Sequence, residues 1–159
     1  MTSKSSSPAS SVCHATEQRL REAGIQTTPQ RLQIADLLFE RGGHLSALEL
    51  FESINRHGPG VCRATVYNTL NLLAERGLVR EICLDGGRTM YDTNTAPHHH
   101  LYNVDTGELT DVPPAAVAFR RLPALPEDTR REDIDLIVRI RNQSPSPRKP
   151  SPDDGSNAG

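Results

Sequence analysis

The spacing of apolar residues along this sequence changes at Gly77 from a helical period to a period of two. Before it, apolar residues recur at helical spacing, as at Val66, Leu70 and Leu73. After it, apolar and polar residues alternate in two short runs that flank Asp85-Gly86-Gly87, which predicts a β-hairpin with a tight turn. A winged-helix domain has this order of elements, with helices followed by a hairpin. The helix before the hairpin is then the candidate recognition helix.

Capping residues predict where the earlier helices begin and end. Thr28 followed by Pro29 is a strong helix start, and Ser46 with Glu49 forms the sequence pattern of a capping box. With glycines as stops, we predict helices over 15–23, 29–41, 46–54 and 64–76.

The second half of the sequence is richer in strand patterns. Runs over 101–104 and 108–112 flank a turn, a short helix is predicted over 114–121, and a last strand follows. Along that strand one face is apolar; its members are Ile134, Leu136, Val138 and Ile140. A sheet this small needs a cover, and a second copy of the chain is the simplest one, so we predict a homodimer.

We therefore predict an α+β protein with four segments. Residues 1–13 form a disordered arm and 14–92 a winged-helix DNA-binding domain. Residues 93–143 form a small α/β domain for dimerisation and for sensing metal or haem, and 144–159 form a disordered tail.

Composition excludes several classes of protein. The net charge of −2 is not that of a broadly basic nucleic-acid binder, so DNA binding must come from a local patch. Cys13, Cys62 and Cys83 form no CxxC pair, which argues against a disulfide scaffold and a zinc ribbon. No signal-peptide pattern and no long apolar run are present, so we expect a cytoplasmic protein without membrane contact.

The helix before the hairpin has an unusual polar face. Ala64, Tyr67, Asn68 and Asn71 share it, and it carries almost no charge, whereas most exposed helix faces are rich in Glu and Lys. Small hydrogen-bonding side chains suit base edges and phosphates. We expect the full DNA-contacting set to be Arg31, Arg63, Ala64, Thr65, Tyr67, Asn68, Asn71 and Arg88.

Three consecutive histidines follow the hairpin. In a strand, His98 and His100 point to one face and His99 to the other. Two imidazoles on one face can bind zinc, iron, copper or nickel, and carboxylates such as Asp92 and Asp111 complete such sites.

Other interpretations of the cluster stay open at this point. Three adjacent histidines can be a solvated surface run, and an isolated His44 is an ordinary surface residue on its own. A metal-dependent hydrolase is disfavoured because no further general base is evident. A metal- or haem-storage module would leave the winged helix without a role.

Taken together, these segments resemble the ferric uptake regulator family of metal-dependent repressors. The resemblance is carried by TPQR at 28–31, HLSALELF at 44–51, ATVYNTL at 64–70, GLV at 77–79, YD at 91–92 and HHH at 98–100. It implies a DNA-binding dimer that regulates iron-homeostasis genes, mainly as a repressor and not as an enzyme. A peroxide- or zinc-sensing regulator of the same family is the alternative.

The resemblance also implies a site for divalent iron, manganese or zinc. Its ligands fall on His44, Asp92, His98, His100 and Asp111, so the family pattern adds His44 to the histidine cluster. Relatives with a structural zinc have cysteines where this chain has Asn103 and Thr106, which excludes a four-cysteine zinc site of that kind.

Within the family, the chain looks similar to the iron response regulator branch, which is associated with haem. The haem-ligand candidates are His99, His98, His100 and Cys13. In that branch Pro follows the N-terminal Cys, whereas here His14 follows Cys13.

Overall fold

The computed structural model describes residues 8–56 and 60–143, with side chains from His14 onward except that of Asp85. The chain divides into two units, Met1–Ala96 and Pro97–Gly159. Residues 1–7 and 144–159, which include the predicted tail, lie outside the described range. Within that range no helix is both long enough and apolar enough to cross a membrane.

Four helices form most of the first unit: α1 (Pro8–Glu22), α2 (Pro29–Arg41), α3 (Ala47–Asn55) and α4 (Arg63–Glu75). They pack around an aliphatic core in which the side chains of Ile34, Leu38, Leu50, Val66 and Leu70 have no exposure. The apolar stripe of α4 packs into this core, so the opposite face of the helix lies at the surface.

The predicted helix starts are confirmed. The Thr28 hydroxyl caps α2 by accepting from the backbone N–H of Arg31, and Ser46 and Glu49 form a reciprocal capping box at α3. The start of α1 was predicted too late. The helix begins at Pro8, so residues 8–13 of the predicted disordered arm are helical, because proline is well tolerated in a first helical turn.

Three short strands complete the first unit: β1 (His44–Ser46), β2 (Arg80–Cys83) and β3 (Thr89–Asp92). Their order is β1-β3-β2, and both pairs are antiparallel. The hairpin of β2 and β3, with a 3₁₀ turn over Asp85–Gly87, confirms the predicted wing. The sequence did not predict β1, because three residues are too few to show a period of two.

The second unit is a three-stranded sheet of β4 (His99–Asn103), β5 (Leu109–Val112) and β6 (Ile137–Ile140). Its order is β5-β4-β6, with β4 antiparallel to β5 and parallel to β6. The unit begins at Pro97 and not at residue 93 as predicted, since the backbone N–H of Thr93 donates to Gly43 in the first unit.

The predicted helix over 114–121 is wrong. Only Pro114–Ala116 form a 3₁₀ turn, and Val117 returns to extended backbone with φ −121° and ψ 126°. Most side chains from 115 to 121 are exposed, so a helix here would have no apolar stripe to pack against the sheet.

Candidate metal ligands and candidate DNA-contacting helix

The first unit places His44 beside Asp92. The antiparallel register of β1 and β3 sets the two residues opposite each other, and His44 Nε2 lies 3.6 Å from Asp92 Oδ2. The Asp92 side chain is fully buried, and its Oδ1 accepts a hydrogen bond from the backbone N–H of Asn94. The turn after β3 therefore fixes the carboxylate with one oxygen toward the histidine.

The second unit collects His98, His100 and Asp111. The two imidazole rings lie 4.5 Å apart between centroids, which confirms that they share a face. Asp111 pairs with His100 in the register of β4 and β5, and its Oδ1 lies 3.7 Å from His98 Nε2. Both histidines are buried, so the three side chains form a compact group of nitrogen and oxygen ligands.

The spacing and chemistry within each unit fit a divalent cation. Zinc bound at about 2.0–2.2 Å holds its neighbouring ligand atoms roughly 3.0–3.5 Å apart, whereas a direct charged hydrogen bond is shorter than about 3.0 Å. The 3.6 and 3.7 Å separations between nitrogen and oxygen are close to the first geometry. Imidazole with carboxylate is also a ligand set that iron, manganese and zinc accept.

Asp135 lies next to Nδ1 of His100 and was not predicted as part of the site. Its Oδ1 lies 3.4 Å from His100 Nδ1. A carboxylate at one ring nitrogen of a histidine fixes the tautomer and leaves the other nitrogen for a metal. The sequence predicted Asp135 on the polar face of the last strand. In the structure that strand begins only at Ile137, which pairs with His100, and Asp135 lies two residues before it.

His99 points away from this group. Its ring contacts Phe119 edge-on, with centroids 5.7 Å apart, and the residue is buried. The two residues line a groove of about 440 Å³ with Pro114, Val117 and Ile134. The alternation predicted for the three histidines is thus confirmed.

The predicted DNA-contacting face lies on α4. Ala64, Tyr67, Asn68 and Asn71 are all exposed, and 43% of the Tyr67 surface is accessible. Thr65 is half-buried and exchanges a 3.1 Å hydrogen bond with Cys62, the residue preceding the helix. That hydrogen bond lowers the pKa of the exposed Cys62 thiol.

The three predicted DNA-contacting arginines lie on different elements of the same unit. Arg31 is in the first turn of α2 and donates to the carbonyl of Gln26. Arg63 begins α4, with its guanidinium 5.3 Å from the centre of the Phe51 ring. Arg88 is exposed at the tip of the wing. The three side chains therefore come from α2, α4 and the wing.

A buried residue, Tyr91, hydrogen-bonds to the exposed face of α4, a role that the sequence did not indicate. It lies on β3 and its hydroxyl donates to Asn71 Oδ1 at 3.2 Å. Burial, followed by the nearby Glu81 carboxylate, raises the pKa of Tyr91 to about 12, so the hydroxyl keeps its proton at neutral pH. The alternating pattern of the strand gave no indication of this partner.

The arrangement of helices, wing and histidine cluster agrees with a known family. Residues 22–125 match the model of the ferric uptake regulator family. The chain belongs to this family. The resemblance seen in the sequence is thus confirmed, and so is the α+β fold; membership of the iron response regulator branch stays a prediction.

Several known proteins are similar to this chain. The peroxide-responsive repressor PerR of Staphylococcus aureus (strain Mu50 / ATCC 700699) is 33% identical over 92 residues, which are 58% of this chain and 62% of that protein. The match therefore spans less than two thirds of the repressor.

Solved structures agree over a longer stretch. The ferric uptake regulator from Pseudomonas aeruginosa, determined with manganese, is 25% identical with a TM-score of 0.62, covering 81% of this chain and 98% of that one. The regulator of Vibrio cholerae shares the fold at 24% identity and a TM-score of 0.61, covering 79% and 98%.

Proposed function

We propose that this protein is a metal-responsive, DNA-binding transcriptional regulator, mainly a repressor, of iron-homeostasis genes. The observation that carries the proposal is the exposed, uncharged face of α4 in the same unit as the His44–Asp92 pair. A helix that presents Tyr67, Asn68 and Asn71 beside a wing suits the major groove. Since the partner is promoter DNA, we expect the protein in the cytoplasm.

The proposed co-repressor is one divalent iron, manganese or zinc ion. Its ligands would be His44 and Asp92 of the first unit with His98, His100 and Asp111 of the second. Each unit alone offers two or three ligands, fewer than the four to six that these metals take in proteins. A single ion completed by both ligand groups would therefore favour one arrangement of the two units.

That preference is the basis of the proposed response. If the favoured arrangement is also the one that binds DNA, the free energy of metal binding adds to DNA affinity, and DNA tightens metal binding by the same factor. Within this scheme His44 couples the ion to the helical unit, and β3 connects the site to the wing.

We further propose that the protein acts as a homodimer. The apolar side chains of β6 support this, because Val138 and Ile140 are 41% and 40% exposed on an edge strand. A second copy covering this face would bury them and place two α4 helices on one duplex, as two half-sites require.

The direct test of the DNA-contacting face compares Tyr67→Phe and Asn71→Ala with the wild type in a gel-shift titration on a duplex selected from a random pool. Each lost contact should weaken binding by about 1–3 kcal/mol. Gln18→Ala, on the exposed surface of α1, is the matched control. Unchanged affinity in both test variants would remove α4 as the DNA-contacting helix.

A peroxide-sensing regulator is the second candidate, and the similarity to the Staphylococcus aureus repressor favours it. The two functions differ in what peroxide does to the iron-loaded protein. A peroxide sensor should gain mass by oxidation at a ligand histidine and lose DNA affinity, whereas a pure metal sensor should release DNA only after chelation.

Haem binding at the second unit is a separate proposal. The groove beside His99 and Phe119 offers an apolar wall and one imidazole, which suits a planar haem ring. Cys13, the other candidate ligand, lies outside the described side chains. Haem absorbance should change in His99→Ala and not in His44→Ala; identical spectra in the two variants and the wild type would exclude His99.

A further inference from the structure

A buried tyrosine holds one of the exposed side chains of α4. Tyr91 lies on β3, the central strand of its sheet, and only 2% of its surface is exposed. Its hydroxyl donates to Asn71 Oδ1 at 3.2 Å. Tyr91 packs in the apolar core, so the hydroxyl is fixed by the fold and the asparagine amide is fixed through it.

A tyrosine hydroxyl can donate or accept, and because it donates in this structure, it occupies the oxygen end of the Asn71 amide. An asparagine side chain has a carbonyl oxygen that accepts and an NH₂ group that donates two hydrogen bonds. In this structure the oxygen is the end turned toward β3. The NH₂ group is consequently the end presented at the surface of α4.

This orientation changes which base the residue fits. An asparagine that turns freely binds adenine with both ends at once, its oxygen accepting from N6 and its NH₂ donating to N7. With the oxygen held by Tyr91, the donor end alone meets the groove. Guanine presents two acceptors, N7 and O6, whereas adenine presents one acceptor, N7, beside the N6 donor. Guanine then matches the side chain better than adenine does.

We propose that Tyr91 is a specificity-determining positioning residue, which makes Asn71 select guanine over adenine at one position of each half-site. This inference rests on the proposed function, in which α4 contacts DNA. It adds a role for a residue that itself touches no base.

The test is selection of bound duplexes from a fully randomised pool by the manganese-loaded protein. Asn71→Ala first identifies the position that the residue contacts, since only that position should lose its preference. Tyr91→Phe keeps the ring and removes the hydroxyl, and the ratio of adenine to guanine there should rise about tenfold. Tyr102→Phe, a buried tyrosine of the second unit, is the matched control and should leave every preference unchanged.

Asn71→Asp is a second variant that does not disturb the core. It keeps an acceptor for Tyr91 but presents an oxygen to the groove, and it should shift the preference toward cytosine, whose N4 group donates. Thermal unfolding of each variant separates misfolding from altered selection.

Three results would overturn the inference: a wild-type preference for adenine at that position, identical preferences in Tyr91→Phe and the wild type, or a uniform loss of affinity in Asn71→Ala, which would indicate a phosphate contact. A wild-type protein that enriches no sequence would instead overturn the proposed function, and the inference with it.

Discussion

His44 and Asp92 face each other across an antiparallel strand pair, with 3.6 Å between Nε2 and Oδ2. The pairing joins a residue that precedes α3 to one that ends the wing, 48 positions later in the chain. A candidate metal-ligand pair thus lies in the same sheet as Tyr91, whose side chain points to the opposite face. The candidate metal ligands and the proposed DNA-contacting helix α4 are therefore both connected to β3.

Loss of His44 should weaken metal binding. His44→Ala removes one imidazole from the proposed site, and we expect at least a tenfold loss of manganese affinity by isothermal titration, about 1.4 kcal/mol or more. His14→Ala removes an exposed histidine of α1 and serves as the control. Equal affinity in His44→Ala and the wild type would exclude a site that includes the first unit.

Asp135 should act on the metal through His100. Asp135→Asn removes the charge beside His100 Nδ1 while keeping the size of the side chain, so metal affinity should fall about 10–100-fold. Asp133→Asn changes an exposed carboxylate two residues earlier on the same segment and should have little effect. Similar losses in the two variants would indicate a general charge effect and not a positioned histidine.

A charge on the apolar side of β6 should prevent dimerisation. Val138→Asp would place a carboxylate in the proposed interface, where its desolvation is costly, and light scattering should report a monomer or an aggregate. Ala115→Asp adds the same charge at an exposed turn of the second unit and should leave the dimer intact. A folded, dimeric Val138→Asp protein would contradict this interface.

The capping box should make stability depend on acid pH. Burial acts to raise the pKa of Glu49, but hydrogen bonds from Ser46 and the charges of Arg88 and Arg41 outweigh it, and the pKa lies below its ordinary value of 4.5. A carboxyl group with a lowered pKa stabilises the fold above its unfolded-state pKa and loses that contribution as the pH falls through the lowered value.

Ser46→Ala should therefore lower the free energy of unfolding by about 0.5–2 kcal/mol at neutral pH and reduce the slope of stability against pH below about 4.5. Urea unfolding at several pH values measures both. Glu52→Gln removes a carboxylate from the same helix without touching the cap. An unchanged slope in Ser46→Ala would show that the cap does not cause the shift.

The sequence predicted those parts of the fold that depend on local chemistry. Thr28 and Ser46 marked helix starts through side-chain caps, and the glycines at 86 and 87 marked the wing turn, because capping and positive backbone φ are decided within a few residues. Strand β1 and the partner of β6 depend on pairing between distant segments, which no local pattern encodes. The wrong prediction of a helix over 114–121 has the same cause, because the sequence does not show whether such a helix would have a surface to pack against.

The residues of the candidate site likewise fall into those that a local pattern predicts and those that only the structure reveals. Alternation alone placed His98 and His100 on one face and His99 on the other. The predicted strand that returns after the turn placed Asp111 close to these histidines. His44 required the family resemblance, since one histidine before a helix carries little information. Asp135 and Tyr91 required the structure, because each acts on a residue at least 20 positions away in the chain.

Metal binding at the proposed His/Asp ligands should increase DNA affinity. Fluorescence anisotropy on a selected duplex, with the metal-free protein and with saturating manganese, measures it most directly. We expect manganese to tighten wild-type binding by about 5–150-fold and to have no effect on His100→Ala, whose metal-free affinity should match that of the wild type. Equal DNA affinity of the metal-free and manganese-loaded wild-type protein would contradict the claim.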